Sequence, residues 1–352
     1  LDVLDQDLNI TINGQKRKLE EWNREVLKGF YSVFKAADAD LQFVLLTGVT
    51  KFSQVSVFSG FNQPDDISMD EHYEALCGIT EEELYSTFEE QIKAMAVRYK
   101  TTEEGMKYKL KRKFDGYHFS PNMLDIYNPF SILNALSKKI LADYWFRTGS
   151  PTYLVRLLSH FDENINEMVN RFYPTSSFID YKADVEAPLP MIYQSGYLTI
   201  KGYDEEFGMY RLGFPNREVE EGFVRFLLPF YANVNKVESP FEIQKFVREV
   251  RSGDYDSFFR RLQSFFADTT YEVIREQELH YENVLFIVFK LVGFYTQVEY
   301  HTSKGRIDLV LQTDKLIYVM EFKLDGTAEE ALQQIHDKHY ALPFASDGRK
   351  LF

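Results

Sequence analysis

The stretch RIDLVLQTDKLIYVMEFK, residues 306–323, predicts a β-hairpin and decides the fold of the C-terminal part of the chain. Residues 314–315 are polar, separate two apolar runs and have the length of a two-residue hairpin turn. With that turn, Asp308 lies directly opposite Glu321. Lys323 lies two residues beyond Glu321 and therefore on the same face of the strand. The register predicts two carboxylates and an ammonium group together at the open end of the hairpin.

The rest of the hairpin is apolar on both faces. The face opposite the charged residues carries Ile307, Leu309, Leu311, Leu316, Tyr318, Met320 and Phe322. The charged face is itself apolar nearer the turn, at Val310, Ile317 and Val319. A solvated strand would have polar residues along its whole outer face, so this pattern indicates a strand pair that is covered on both sides. Charges at one end of a covered sheet are costly unless they have a use.

That use is predicted to be metal chemistry on a phosphodiester. Two carboxylates whose Cβ atoms are about 4.5–5.5 Å apart can share Mg²⁺ or Mn²⁺ and leave positions for water and phosphate oxygens. A metal-bound water loses its proton more easily, and Lys323 would orient that water and stabilise the transition state. We therefore expect Asp308 and Glu321 to be metal ligands and, with Lys323, catalytic residues. The alternative is an ordinary salt bridge between Lys323 and an acid at the sheet edge.

The segments on either side of the hairpin extend the pattern. Residues 271–292 have the apolar content of a buried helix, and a strand at 296–301 and a turn at 303–305 follow. After the hairpin, Thr327 and Glu330 have the spacing of a capping box at the start of another helix. The predicted order is therefore helix, three strands, helix.

This order, with the motifs GRID at 305–308 and EFK at 321–323, resembles the core of the PD-(D/E)xK nuclease superfamily. The resemblance implies a restriction-endonuclease-like αβββα fold, followed by a final strand that begins at residues 349–352 and is clipped. It also implies that Gln334 is a catalytic residue that positions substrate or water; a solvent-facing glutamine is the alternative. On the first helix, any one of Glu278, His280 and Glu282 could approach the metal, or each could be a surface residue.

The N-terminal part carries a different pattern. Residues 22–37 have helical apolar spacing, and residues 42–46 predict an apolar strand that ends in polar residues, where α/β sheets bind ligands. Three further motifs are KRKFDGYHFS (111–120), IYNPFSIL (126–133) and YWFRTGSPTYL (144–154). Together they resemble AAA-ATPase-like proteins, abundant in gut anaerobes of the Bacteroidetes type, that carry a C-terminal PD-(D/E)xK domain.

No phosphate-binding G-x-x-x-x-G-K-[ST] motif occurs in the sequence. The resemblance places that motif and the Walker B strand upstream of Leu1, so ATP belongs to the full-length family, and ATPase activity is not expected of this chain. The residues that would bind a nucleotide cofactor stay unknown. In the motif FDGY, Asp115 is predicted to be a turn residue beside a permissive Gly116.

The middle of the chain predicts mainly helices, one of which begins at Asn128-Pro129 with proline as its first residue. It also predicts one hairpin, formed by residues 198–203 and 209–212. This combination is typical of a winged-helix-like module, which either binds DNA or packs against a neighbouring domain. The acidic helix face with Glu218, Glu220 and Glu221 favours packing. The sequence thus predicts an α/β multidomain protein with limits at 1–125 (ATPase-like part), 126–270 (helical, winged-helix-like region) and 271–352 (nuclease-like domain).

Composition limits the partners. The net charge is −14 and the pI about 5.1, which argues against a broad basic surface for nucleic acid. Residues 271–352 have nine Lys or Arg against thirteen Asp or Glu, a balance of −4. The basic stretch 107–113 either follows phosphates or is a solvated helix face. Nucleic acid is therefore expected to bind weakly. The oligomeric state is not indicated.

The single cysteine, Cys77, is expected to be packed, and its isolation suits a reducing bacterial cytoplasm. No apolar run reaches the roughly 20 residues of a membrane span. Two functions remain: a Mg²⁺-dependent nuclease fused to an ATPase-like regulatory part, or a non-catalytic regulatory or interaction protein in which the nuclease fold is a scaffold. The presence of Asp308, Glu321 and Lys323 together favours the nuclease.

Overall fold

The chain divides into two compact units. Unit 1 comprises Leu1–Ala142 and Val169–Asn216, and unit 2 comprises Asp143–Met168 and Arg217–Phe352. The computed structural model describes residues 9–48, 65–145, 158, 164–169, 171–179, 188–232, 234–235, 238–266, 274–293, 295–303, 306–323 and 326–352. The predicted domain limits at residues 125/126 and 270/271 stay predictions. Within the described ranges, no helix is long and apolar enough to cross a membrane.

Unit 1 begins with a hairpin and a long helix. Strands β1 (Asn9–Ile12) and β2 (Gln15–Lys18) pair across Asn13 and Gly14, whose φ angles are both positive, as a tight Asn-Gly turn requires. Helix α1 (Leu19–Ala36) follows directly, which confirms the helical spacing of this segment.

The strand predicted at residues 42–46 is wrong. Residues 41–48 have no regular structure, and Phe43 is 80% exposed. A buried strand forms only beside a neighbouring strand that accepts its backbone hydrogen bonds. Among the described residues no strand lies beside this segment. Cys77 is exposed rather than packed, so that expectation was also wrong.

The core of unit 1 is a group of four helices, three of which begin with a side-chain cap. They are α2 (Glu81–Thr87), α3 (Glu89–Arg98), α4 (Glu103–Phe114) and α5 (Pro129–Lys138). Thr80 forms a capping box with Glu83, and the side chain of Asn128 caps α5, whose first residue is proline as predicted. The short strands β3 (Ile79–Thr80) and β4 (Ile126–Tyr127) pair beside these helices.

A small antiparallel sheet completes unit 1. It has the order β5-β7-β6, and its strands are β5 (Phe172–Pro174), β6 (Thr199–Asp204) and β7 (Met209–Gly213). Strands β6 and β7 are the hairpin that the sequence predicted. The short helix α7 (Leu189–Gln194) precedes β6, and α6 (Ile165–Met168) belongs to unit 2.

Unit 2 is built around one buried helix. Helix α11 (Ile274–Gly293) buries eight apolar residues among those whose side chains are described. They are Val284, Leu285, Phe286, Ile287, Val288, Phe289, Leu291 and Val292. It packs against α8 (Arg217–Tyr231) and α9 (Ser239–Ser252), and α10 (Tyr255–Phe266) packs on α9. The helix predicted at 271–292 is thus present with slightly different limits.

The sheet of unit 2 follows α11. Its order is β11-β10-β9-β8, with β8 (Gln297–Ser303), β9 (Arg306–Gln312), β10 (Leu316–Lys323) and β11 (Lys350–Leu351). The first three strands are antiparallel, and β11 pairs with β10 in parallel. Helix α12 (Ala328–Asp337) connects β10 to β11 and contacts β10. The element order is helix, three strands, helix, with a short strand at residues 350–351.

Candidate metal site on the C-terminal sheet

The register of the β9–β10 hairpin is the predicted one. Asp308 pairs with Glu321, and Arg306 pairs with Lys323 at the open end. The turn is held by Thr313, whose backbone N–H donates to the carbonyl of Leu316 at 2.8 Å and whose hydroxyl accepts the Leu316 N–H at 2.9 Å. A slip by one residue would move every side chain to the opposite face, so the turn and the sheet faces together set this pairing.

Residues on both faces of the hairpin are buried, which confirms the prediction that the strand pair is covered on both sides. Ile317 on the charged face is fully buried, and Leu311 and Tyr318 on the other face are 0% and 3% exposed. The Tyr318 hydroxyl donates to the carbonyl of Val250 at 2.7 Å and so fixes β10 against α9. The charged residues of strands β9 and β10 are therefore confined to the open end of the hairpin.

Glu321 lies beside an apolar groove. Both of its carboxylate oxygens are shielded from solvent. The groove, of about 550 Å³, runs between β10 and α12. It is lined by Tyr255, Phe259, Tyr318, Val319, Met320, Glu321, Phe322, Ala328, Ala331, Leu332, Ile335 and Phe352. A carboxylate in such surroundings pays a desolvation cost that a bound cation would offset.

Asp308 and Glu321 occupy directly opposite positions of the antiparallel pair. The Cβ atoms of such positions are about 4.5–5.5 Å apart. Two carboxylates are hard oxygen donors, which are the ligands that Mg²⁺ and Mn²⁺ prefer. The donor set therefore fits such an ion. Of Asp308 itself the structure describes the backbone position; its side chain lies outside the described residues.

Lys323 is positioned by the turn into α12. Its side-chain stem runs beside Gly326, where an added Cβ would lie 3.3 Å from Cδ of Lys323 and 2.7 Å from Oε2 of Glu330. Gly326 also has φ +148°, which L side chains rarely adopt. The predicted capping box is present: Thr327 N–H donates to Glu330 at 2.9 Å, and Glu330 N–H donates to the Thr327 hydroxyl at 3.2 Å. The start of α12 is thereby fixed next to Lys323.

The predicted supporting residues have different surroundings. Gln334 is partly buried on a flank of α12, while Ala328, Ala331, Leu332 and Ile335 form the side of that helix that faces the groove. The side chain of Glu282 accepts a hydrogen bond from Asn164 at 2.7 Å. The buried ring of His280 stacks on Tyr231 of α8, and burial lowers its pKa. These described contacts join Glu282 and His280 to residues outside the sheet.

The side chain of Glu278 lies outside the described residues. Among the side chains that are described, no group of three or more His, Cys, Asp or Glu is arranged to hold a metal ion. The side chains of residues 299–308 do not belong to that set. The roles of Gln334, Glu278, His280 and Glu282 at the site stay predictions.

A polar cluster in unit 1 was missed by the sequence reasoning. We call it the FDGYH cluster; it consists of Asp115, His118, Asp125, Lys111 and Lys201. Asp115, predicted to be a turn residue, is only 3% exposed, and burial raises its pKa to about 6. Burial likewise lowers the pKa of Lys201 to about 8. In the motif FDGYHF, polar residues alternate with aromatic residues, and this pattern was the available signal that Asp115 and His118 are buried.

The FDGYH cluster joins the loop after α4 to strand β6. His118 lies between two acceptors, with Nδ1 2.7 Å from the carbonyl of Ile200 and Nε2 2.8 Å from Oδ1 of Asp125. The ammonium group of Lys201 donates to the carbonyls of Gly116 at 2.7 Å and Pro215 at 3.0 Å. These contacts are all made within unit 1, so the cluster fastens its loops together.

The acidic face of α8 and the basic stretch of α4 both make contacts within their own units. Glu218 is buried and accepts the backbone N–H groups of Tyr144 and Trp145, while Glu220 pairs with Lys290 at 2.7 Å. The face of α8 that was expected to pack rather than bind DNA does pack.

The basic stretch of α4 is paired as well. Lys107 contacts Glu103 and Glu104, and Lys111 contacts Glu81 at 2.6 Å and Asp125 at 3.3 Å. These carboxylates neutralise Lys107 and Lys111, two of the cations that the sequence suggested as phosphate contacts. The alternative, that the basic stretch is a solvated helix face, accounts for these contacts better.

Residues 276–352 match the family model described as PD-(D/E)XK nuclease superfamily. The chain carries a PD-(D/E)XK nuclease superfamily domain. Residues 1–58 match the model described as Predicted AAA-ATPase, so the N-terminal part is AAA-ATPase-like. Both parts of the architecture predicted from the motifs are confirmed.

One relative covers most of this chain. A protein of Azotobacter chroococcum mcd 1, described as "Uncharacterized protein in vnfD 5'region", is 31% identical over 345 residues. The match covers 93% of this chain and 63% of that protein, so the chain spans less than two thirds of the length of this relative. No solved structure matches.

Proposed function

We propose that this protein is a divalent-metal-dependent nuclease whose active site lies at the open end of the β9–β10 hairpin. Asp308 and Glu321 hold Mg²⁺ or Mn²⁺, and Lys323 acts on the water that attacks the phosphorus. The observation that carries the proposal is the register of the hairpin, in which Asp308 pairs directly with Glu321 and Lys323 follows two residues later. The match of residues 276–352 to the nuclease superfamily supports it independently.

The chemistry is a hydrolysis. A divalent ion supplies charge neutralisation at the phosphate and lowers the pKa of a bound water. The ammonium group of Lys323 donates to the attacking water or to a non-bridging phosphate oxygen and so stabilises the charge that develops in the transition state. Water oxygen bonds to phosphorus, the bond to the leaving oxygen breaks, the attacking water gives up a proton to solvent, and the leaving oxygen takes one from solvent. The carboxylate oxygens of Glu321 are shielded from solvent, which strengthens their attraction to a cation.

The finer description of the fold belongs to the same proposal. The order α11-β8-β9-β10-α12 supports a restriction-endonuclease-like αβββα core, followed by the short strand β11. Strands β6 and β7 with the helices after them support a winged-helix-like module. The AAA-ATPase-like part would regulate cleavage. Gln334 on α12 would support the site by positioning substrate or water.

The substrate and setting follow from charge and composition. A net charge of −14 predicts weak, salt-sensitive binding of nucleic acid, with the metal ion and a few local cations as the attractive elements. A bacterial cytoplasm, where Mg²⁺ is available and Cys77 stays reduced, suits this chemistry. The alternative is a regulatory or interaction protein that uses the nuclease fold as a scaffold, and cleavage assays separate the two.

The experiment is a cleavage assay on the 352-residue chain. Single- and double-stranded DNA and RNA are incubated with Mg²⁺, Mn²⁺ or a chelator, beside Asp308→Ala. The matched control is Lys315→Ala, which changes an exposed lysine at the turn of the same hairpin. We expect cleavage that needs the metal ion, is lost in Asp308→Ala and is retained in Lys315→Ala. Equal cleavage by wild type and Asp308→Ala would contradict the proposed site, and no cleavage under any condition would favour the scaffold function.

A further inference from the structure

The pair Asp308–Glu321 belongs to a row of residues that extends beyond the hairpin to His301. We call these three positions the metal row. Strand β8 pairs with the other edge of β9, and in that pairing His301 lies directly opposite Asp308. Asp308 in turn lies opposite Glu321 on β10. Positions 301, 308 and 321 therefore form one row across three adjacent strands, and directly opposed residues of antiparallel strands share a face. All three are residue types that bind metal ions.

The neighbouring rows on that face differ in character. Toward the hairpin turn the row is Glu299, Val310 and Val319. Toward the open end the row is Ser303, Arg306 and Lys323. The row with His301 thus lies between a partly apolar row and one that carries a hydroxyl, a guanidinium and an ammonium group. A cation bound at the row of His301 would therefore have residue types that bind phosphate in the next row, toward the open end of the hairpin.

We propose that His301 is a third ligand of the metal ion held by Asp308 and Glu321, and that it biases the site toward Mn²⁺ over Mg²⁺. This inference rests on the proposed function. Both Mg²⁺ and Mn²⁺ are suited to oxygen ligands. Mn²⁺ is a transition ion, however, and accepts an imidazole nitrogen more readily than Mg²⁺ does. Adjacent strands are about 4.7–4.9 Å apart. Asp308 on the central strand β9 therefore has His301 on one neighbouring strand and Glu321 on the other. An ion bound there receives one nitrogen and two carboxylate ligands.

The test measures metal binding without nucleic acid. Mn²⁺ and, separately, Mg²⁺ are titrated into the 352-residue chain by calorimetry, with wild type, His301→Ala, His301→Gln and Glu321→Gln. The matched control is His336→Ala, which removes an exposed histidine of α12. We expect His301→Ala to weaken Mn²⁺ binding about tenfold or more while Mg²⁺ binding changes little. Pulsed electron paramagnetic resonance of bound Mn²⁺ should show coupling to an imidazole nitrogen that disappears in His301→Ala and persists in His336→Ala.

The outcomes separate this inference from the proposed function. Mn²⁺ binding that is lost in Glu321→Gln but unchanged in His301→Ala, with no nitrogen coupling in wild type, would overturn the role of His301 and leave the nuclease site intact. Absence of Mn²⁺ binding to wild type would overturn both. Weaker binding in His301→Ala without nitrogen coupling in wild type would overturn direct ligation and make His301 a residue that positions Asp308. His301→Gln retains a polar side chain and serves where circular dichroism shows that His301→Ala is misfolded.

Discussion

The FDGYH cluster of unit 1 and the metal row of unit 2 are both groups of charged residues, yet their charges are arranged in opposite ways. In the cluster, nitrogen groups meet oxygen atoms of the protein: Nε2 of His118 lies 2.8 Å from Oδ1 of Asp125, and Lys201 donates to two backbone carbonyls. In the metal row, two acids occupy opposite positions of one strand pair. The first arrangement gives its nitrogen donors acceptors within the protein, whereas the second places two acids at positions from which they could share a divalent cation.

The difference separates a structural role from a functional one. Polar groups that satisfy each other allow loops to be buried, and removing one of them costs stability. Two acids at opposite positions of one strand pair can instead share a divalent ion. Variants of the cluster should therefore change stability without metal, whereas variants of the hairpin acids should change the stabilisation that a metal ion adds.

The largest effect on stability is expected at Gly116, in the loop that the FDGYH cluster fastens. Its φ is +101°, and a Cβ there would lie 2.4 Å from the carbonyl oxygen of Pro215. Gly116→Ala should lower the free energy of unfolding by about 3 kcal/mol or more, because strain and a backbone clash add. Urea unfolding measures the change. The matched control is Gly208→Ala, where φ is +61° but the space is open and a loss of about 1 kcal/mol is expected. Equal losses would show that the clash is relieved without cost.

The next effect is a pH dependence that comes from Asp115. Burial raises its pKa to about 6, from 3.8, so between these values the folded state binds more protons than the unfolded state, and stability falls as pH rises. Asp115→Asn removes this loss. Relative to wild type, the variant should therefore gain about 3 kcal/mol between pH 4 and pH 7. Urea unfolding across this range is the measurement, and parallel pH profiles of the two proteins would contradict it.

Asp125 provides a control of opposite sign. Burial raises its pKa, but hydrogen bonds from His118 and Lys111 outweigh that effect, and the net pKa is lowered. Its contribution to stability is present above the unfolded pKa and is lost as pH falls. Asp125→Asn should therefore lose stability relative to wild type as pH rises through the acid range. The two asparagine variants together test whether the FDGYH cluster is as complete as its contacts indicate.

The smallest effect on stability is expected from a metal ion at the β9–β10 hairpin. Glu321→Gln removes one of the two proposed ligands of that ion. Added Mn²⁺ should stabilise wild type by about 1.4 kcal/mol at ten times Kd and leave Glu321→Gln unchanged, because binding to the folded state is the source of the gain. Asp314→Asn at the exposed turn is the control and should respond to Mn²⁺ as wild type does. Equal stabilisation of Glu321→Gln and wild type by Mn²⁺ would contradict the role of Glu321.

Elements set by local rules could be predicted from the sequence. The hairpin register followed from a two-residue turn between two apolar runs, and helix starts followed from the Thr327–Glu330 capping box and from Asn128-Pro129. Features that depend on distant partners could not. The strand expected at residues 42–46 needs a neighbour that the described residues do not provide.

The FDGYH cluster was missed for the same reason. His118 and Ile200 are 82 residues apart in sequence, so no local pattern joins them. The row through His301 depends on the pairing of β8 with β9. The turn predicted at residues 303–305 did not fix the register of that pairing. Only the pair Asp308–Glu321 lay within one predictable turn.

The most direct test of the central claim is the single-turnover cleavage rate of wild type and Lys323→Ala at saturating Mn²⁺. Asp308 and Glu321 remain in this variant, so Mn²⁺ should still bind. The account predicts a cleavage rate lower by about 10²–10³-fold, as for loss of one group that stabilises the transition state. Cleavage by Lys323→Ala at the wild-type rate, with Mn²⁺ bound, would contradict it.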